Sequence, residues 1–215
     1  LCGMQVLEGI LPVLITPLKD DGSVDTETVK ALVQGFVNKG APGIWVLGTG
    51  GEDMCLSMRQ RLDVVEAALS VETKNTQLML GCSFFAPEDS YEFIRETKKY
   101  DFAAYHAMPY HPKVSLDQLY SWYERLVKKA DRPFWAYTSG NWAQRMDSKF
   151  IARVKGLPNI CGVKYSTSNI VDLQEVAGLQ DDGFQVISAV IKTFNAALYT
   201  GCKASTSIEA MLFWD

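Results

Sequence analysis

Long apolar runs are missing from this chain of 215 residues: none approaches the roughly 20 that a membrane helix needs, and Pro12 and Pro17 interrupt the best candidate. Charge of one sign is missing as well. With 21 Lys and Arg against 25 Asp and Glu, a net of -4 without blocks, the chain offers no basic stripe for nucleic acid and no polybasic segment for an acidic membrane. Small molecules are the expected ligands. Histidine is scarce, and the only two, His106 and His111, fall on opposite faces across an expected strand end, which argues against a shared metal. The five cysteines (Cys2, Cys55, Cys82, Cys161, Cys202) are odd in number, scattered and never spaced C-x-x-C. That pattern fits reduced thiols in a cytoplasmic protein. No small-residue cleavage pattern marks a secretory leader.

What is present is alternation. Eight short apolar runs rich in β-formers recur: GILPVLI, GIWVLG, QLMLGC, FAAYHAM, PFWAY, NICGVK, FQVISA and KASTSI. Between them lies helical periodicity, as at Val29, Leu32, Val33, Phe36 and Val37, with Gly40 as the stop. Ser57 with Gln60 and Ser115 with Gln118 fit the S-x-x-Q capping box that opens a helix. Strands separated by helices imply parallel pairing, because parallel neighbours need a crossover. Eight of them predict an α/β fold, a closed (β/α)8 barrel, the TIM barrel. A doubly wound open sheet is the alternative, but it would usually bring a Gly-rich phosphate turn after its first strand, and ITPLKDDG is not one. A single domain over residues 1–215 is expected, with 47% hydrophobic residues enough for one core. The chain begins with Leu1 and stops where the eighth strand should end, so the reading includes a truncated barrel lacking its C-terminal helices.

In such a barrel, chemistry sits at the C-terminal ends of the strands. The second strand ends in Gly48-Thr49-Gly50-Gly51-Glu52, the fourth in Met108-Pro109-Tyr110-His111, the fifth in Tyr137 and the sixth in Lys164. Neighbouring strands five and six would place Tyr137 and Lys164 against one small molecule. An amine kept out of water has its charged form disfavoured, and a neutral amine attacks a ketone to give an imine. The imine is an electron sink, so carbon–carbon bonds beside it can be made or broken, while a nearby phenol shuttles protons. A rim lysine lying along apolar surface, a rim aromatic and a simple tight turn are the bland alternatives for Lys164, Tyr137 and the glycines.

The ordered set GILPVLITPLKDDGSVD, GTGGE followed by Leu56-Ser57, MPY at Met108 to Tyr110, the tyrosine of FWAY, and GVK resembles the dihydrodipicolinate synthase and N-acetylneuraminate lyase superfamily of Schiff-base enzymes. The resemblance implies that Lys164 forms the imine, Tyr137 relays protons, and Thr49 holds the carboxylate of a 2-oxo acid such as pyruvate and orients the tyrosine. It extends substrate binding to Gly48, Gly50, Gly51, Tyr110 and His111, and it implies neither cofactor nor metal. Family members commonly form homo-oligomers, so a tetramer is expected, with Tyr110 and His111 where the family reaches into a neighbour's site.

Departures from the pattern narrow the reading. Gly50 replaces a second hydroxyl, His111 replaces a tyrosine, and TSGNWAQ puts Trp142 near the place of an arginine that clamps a dicarboxylate in the synthase branch, with Arg145 slightly beyond. Where the sialic acid branch has an acidic pair, this chain has Ala189-Val190-Ile191-Lys192. The expected function is a class I lyase that reversibly cleaves a 2-oxo-3-deoxy sugar acid, or a related 2-oxo acid, to pyruvate and an aldehyde. Condensation of pyruvate with an aldehyde and dehydration of a 2-oxo-3-deoxy acid use the same imine. A non-catalytic 2-oxo acid-binding protein is the rival from another class.

Overall fold

The structure, a computed structural model, describes residues 3–111, 113–139 and 142–214. Eight strands run in parallel in the order β1-β8-β7-β6-β5-β4-β3-β2. They are β1 (Gly9–Pro12), β2 (Gly43–Val46), β3 (Gln77–Gly81), β4 (Ala104–Ala107), β5 (Phe134–Ser139), β6 (Ile160–Ser166), β7 (Gln185–Ser188) and β8 (Ala204–Ser207). The two ends of that order meet just past β1, where Val13 bridges Trp45 in parallel and the Leu14 N–H donates to the Trp45 carbonyl at 2.9 Å. The expected (β/α)8 barrel is the observed architecture.

Seven helices among the described residues form the outer ring: α1 (Thr26–Asn38), α2 (Met58–Leu69), α3 (Pro87–Thr97), α4 (Leu116–Ala130), α5 (Ser148–Lys155), α6 (Ile170–Ala177) and α7 (Phe194–Tyr199). Their starts follow local chemistry. Both capping boxes are formed, Ser57 with Gln60 before α2 and Ser115 with Gln118 before α4, each satisfying donors that a helix end leaves open. Asp25, Asp147 and Asn169 cap α1, α5 and α6 with side-chain acceptors. Past the end of α1, Gly40 turns the chain at φ +75°, a conformation that glycine adopts without a Cβ clash. β8 is followed by a single 3-10 turn, Glu209–Met211.

Side chains alternate between two cores. The outer one packs Val33, Ile44, Leu80, Phe134, Val163 and Val186 under the helices. The inner one fills the barrel with Leu11, Val13, Trp45, Met79, Trp135, Tyr137 and Ile187. One break in the alternation matters for function. Phe134 pairs with Ile160 but Trp135 pairs with Gly162, so Cys161 is an extra residue on β6. Ile160, Val163 and Tyr165 face the outer core while Cys161 joins the inner one, and the shifted phase turns Lys164 inward. Strict alternation from Ile160 would have sent Lys164 to the other side.

β6 also runs further than the sequence suggests. Thr138 pairs with Tyr165 and Ser139 with Ser166, so Lys164 lies within the strand and not at its boundary. The Tyr165 hydroxyl, donating to the Met146 carbonyl at 2.7 Å, anchors this extension on the outer side.

Candidate active site

Tyr137 and Lys164 are register partners on β5 and β6, a pairing set by the extra residue at Cys161. The Lys164 amine lies 4.0 Å from the centre of the Tyr137 ring, and the residue is only 4% exposed. No ion pair engages it among the described residues. The Tyr137 hydroxyl is 2.8 Å from Thr49 Oγ1, a hydrogen bond between residues far apart in sequence that barrel closure brings together. The amine thus lies against the ring of a phenol whose hydroxyl is hydrogen-bonded to the threonine.

The turn that aims Thr49 is backbone-driven. Leu47 sits in the left-handed region at φ +56°, an uncommon state for a branched residue that costs on the order of 1–3 kcal/mol. Thr49–Gly51 then form one 3-10 turn, closed by Gly51 N–H to the Gly48 carbonyl at 2.9 Å and held by the Thr16 hydroxyl on the Gly51 carbonyl at 2.7 Å. The first two N–H groups of that turn, those of Thr49 and Gly50, have no acceptor within it. The glycines fit by contact. A Cβ on Gly50 would stand 2.7 Å from Val13 Cγ1 and 2.9 Å from Ile208 Cδ1, and one on Gly48 would stand 2.9 Å from the Trp45 indole.

Two further groups pack beside these residues, and the sequence reading singles out only one member of each, Tyr110 and His106, without their partners Asp53, Arg61 and Trp45. Tyr110 is buried and donates its hydroxyl to Asp53 Oδ1 at 2.7 Å, and Arg61 approaches Asp53 Oδ2 at 3.9 Å. Arg61 is buried too, donating to the Ser83 carbonyl at 2.6 Å and stacking on Phe84 at 3.7 Å. Burial raises the Asp53 carboxyl above its usual range, opposed by the Tyr110 hydroxyl and by Arg61. Burial, then Asp53 itself, also raises the Tyr110 phenol, so the proton of that hydrogen bond stays on Tyr110. Replacing Arg61 with methionine is expected to cost about 3–5 kcal/mol, because it strands a buried carboxylate. Urea unfolding measures the loss, and Arg61→Met with Asp53→Leu should recover part of it; equal stability of Arg61→Met and wild type would show that the pair holds nothing.

The second group lies inside the barrel. His106 is fully buried and stacks on Trp45 with ring centres 4.0 Å apart, its Nε2–H donating to the Val46 carbonyl at 2.9 Å. That bond leaves Nδ1 as a lone-pair nitrogen, and among the described residues neither it nor Trp45 Nε1 has a hydrogen-bond partner. Burial holds the His106 pKa well below the ordinary histidine value, and the nearby Lys164 amine pushes the same way. The sign of the consequence is definite. An unfolded histidine titrates near 6.5, so below that pH the unfolded chain binds a proton that the folded one refuses. Stability should therefore fall by about 1.4 kcal/mol per pH unit below about 6.5 on account of His106. The difference between wild type and His106→Leu in urea midpoints from pH 7 to 5 isolates it, and parallel curves would refute it.

Other expected residues lie elsewhere. His111 is half-buried on the rim, with Nε2 3.3 Å from the Phe85 carbonyl and its ring edge-on to Phe85, and within one chain it makes no contact with Tyr137. Arg145 is not a free clamp: its Nε and Nη2 donate to Asp172 at 3.1 and 2.7 Å. Trp142 is exposed and edge-on to Tyr110. No cluster of three metal-ligating side chains occurs among the described residues. A surface concavity of about 710 Å³ runs along the outer wall of β1 and β8 past Phe194, Phe213 and Trp214 and includes none of the polar atoms above.

The dihydrodipicolinate synthetase family model matches residues 6–212, nearly the whole of the barrel. The chain belongs to that family. Among curated relatives, the 4-hydroxy-tetrahydrodipicolinate synthase of Acidovorax sp. (strain JS42) is 26% identical over 207 residues, covering 95% of this chain and 70% of its own length. The enzyme of the same name from Neisseria meningitidis serogroup C is 28% identical over 186 residues, 85% of this chain and 64% of the relative. The chain thus spans about two thirds of the relatives it matches. Among solved structures, Proteus mirabilis N-acetylneuraminate lyase superposes with a TM-score of 0.88 at 23% identity, covering 95% of this chain and 71% of that one. Dihydrodipicolinate synthase from Aquifex aeolicus gives 0.88 at 22%, covering 96% and 71%. The likenesses to solved structures show the fold, and the family model and the curated relatives carry the names of synthases. Among the described residues no helix is long and apolar enough to cross a membrane.

Proposed function

We propose that this member of the dihydrodipicolinate synthetase family is a class I lyase that cleaves a 2-oxo-3-deoxy sugar acid, or a related 2-oxo acid, to pyruvate and an aldehyde. The observation that carries the reading is the Lys164 amine, nearly out of water and without an ion-pair partner among the described residues, beside a Tyr137 phenol already hydrogen-bonded to Thr49. The amine adds to the C2 ketone, and the hydroxyl of the carbinolamine leaves as water with the Tyr137 phenol proton, giving an iminium and the Tyr137 phenolate. The C3–C4 bond then breaks with its electron pair entering the iminium, while the C4 hydroxyl proton passes to the Tyr137 phenolate and the aldehyde departs. Protonation of the enamine at C3 and hydrolysis return pyruvate and the amine. Thr49 orients the phenol, and the Thr49 and Gly50 N–H groups receive the substrate carboxylate, beside the backbone of Gly48 and Gly51. Tyr110 and His111 border the same mouth, and assembly into a homo-oligomer, a tetramer by family habit, would add a neighbour's residues there.

A second reading, condensation of pyruvate with an aldehyde, is favoured by the names of the curated relatives, which are synthases. Against it stands Arg145, tied to Asp172 and unavailable to clamp a dicarboxylate. A screen of 2-oxo-3-deoxy acids, with pyruvate release as readout, decides between them. Release from at least one acid supports the lyase, consumption of pyruvate only with an added aldehyde supports the synthase, and pyruvate binding without turnover would leave a 2-oxo acid-binding protein.

A further inference from the structure

Among the described residues the Lys164 amine has two aromatic rings against it and no ion pair with a carboxylate. It lies 4.0 Å from the centre of the Tyr137 ring and 5.1 Å from that of Trp45, and the two rings meet nearly at right angles, 85° apart with centres 5.7 Å from each other. Trp45 is fully buried on β2, at the closing edge of the barrel, and its Nε1 has no partner among the described residues. His106, stacked on the same indole, stays neutral and adds no competing charge. We infer that Trp45 is a positioning residue for the Schiff base: with the Tyr137 ring it forms an aromatic corner that favours the cationic iminium on Lys164, in place of an acidic counter-ion. The inference rests on the imine reading of Lys164 given above.

The physical reason lies in how the two cations are solvated. Converting the ammonium and a ketone to an iminium and water conserves the charge, so only a difference between the two cations counts. The ammonium has three N–H donors and is a compact, strongly hydrated charge. The iminium keeps one N–H, and its charge is spread over a planar N=C unit that water solvates poorly. Ring faces therefore stabilise the iminium more than the ammonium it replaces, through the ring quadrupole. A carboxylate in the same place would also hold the cation, but it would bring a second base and a second charge to desolvate. Trp45 performs the task without either.

Pyruvate trapping with borohydride reads the proposal directly. The pyruvate concentration giving half-maximal adduct on Lys164 should rise about tenfold in Trp45→Leu and about twofold to threefold in Trp45→Phe, which keeps a smaller ring. Because Trp45→Leu leaves a void in the barrel and can fail to fold, 5-fluorotryptophan incorporated in place of all five tryptophans supplies the second arm. Fluorine weakens the ring quadrupole with little change of shape, so the same concentration should rise by about twofold or more. Fluorination of the Trp45→Phe protein should change nothing further, which separates Trp45 from Trp135, packed edge-on to it at 6.4 Å. An adduct formed with unaltered affinity in the fluorinated protein, or a fluorine effect that survives Trp45→Phe, overturns the role of Trp45 and leaves the imine standing. The absence of any adduct in the wild type would overturn both.

Discussion

Replacing Lys164 with alanine is expected to remove the covalent adduct that borohydride traps from pyruvate and to bring turnover to background. On the proposed mechanism Lys164 supplies the electron sink itself, so the effect should be complete, and no other lysine among the described residues belongs to the buried polar set. Protein solvent exposure makes the test selective: the remaining amines are hydrated, and only Lys164 lies inside the barrel beside a phenol. Intact-mass measurement on both proteins is sufficient. A mass increment that survives the substitution would move the chemistry to another residue, and the fold, held by cores on both faces of the sheet, should tolerate the change well enough for the comparison to be made.

The second large effect is expected at Tyr137. Tyr137→Phe keeps the ring against Lys164 and Trp45 and deletes only the hydroxyl that pairs with Thr49 at 2.8 Å. Turnover should fall by about a hundredfold or more, the usual worth of a general acid–base group, while half-maximal trapping of pyruvate changes little. That split follows because the proton is moved in the transition state and not in the bound ground state. Thr49→Val should give a smaller loss in the same direction, since it leaves the phenol present but unaimed. A phenylalanine variant that turns over like the wild type would take Tyr137 out of the mechanism, whatever the geometry.

His111 shows where motif reading and geometry diverge. In sequence it occupies the place of a family tyrosine, which invites a part in the relay. In the structure its imidazole is turned to the Phe85 carbonyl at the rim, and the residue that reaches inward from the same segment is Tyr110, fastened to Asp53. The aspartate was legible only as one of 25 acidic residues. Nothing local distinguishes it, because its burial depends on Arg61 from α2 and Tyr110 from the loop after β4. Arg145 shows the converse: sequence proximity put it near a clamp position, and a carboxylate on α6 occupies it.

Short-range physics determined most of what the sequence by itself decides about this protein. Alternating strand and helix signals, two capping boxes and Gly40 act over a few residues, so the eight-stranded barrel and its helix starts could be read directly, as could Thr49, Tyr137 and Lys164 as strand-end candidates. Tertiary structure alone decided which way those candidates face and what surrounds them. The extra residue at Cys161 reverses the phase of β6 and turns Lys164 into the barrel, and only Gly162 lets the Trp135 ring lie across the strand at that point. Closure of the ring between Val13 and Trp45 brings the indole of β2 to the amine of β6. Period-two patterns carry no information about a one-residue bulge, and contacts between residues more than a hundred positions apart arise from the closing of the sheet, which no local preference encodes.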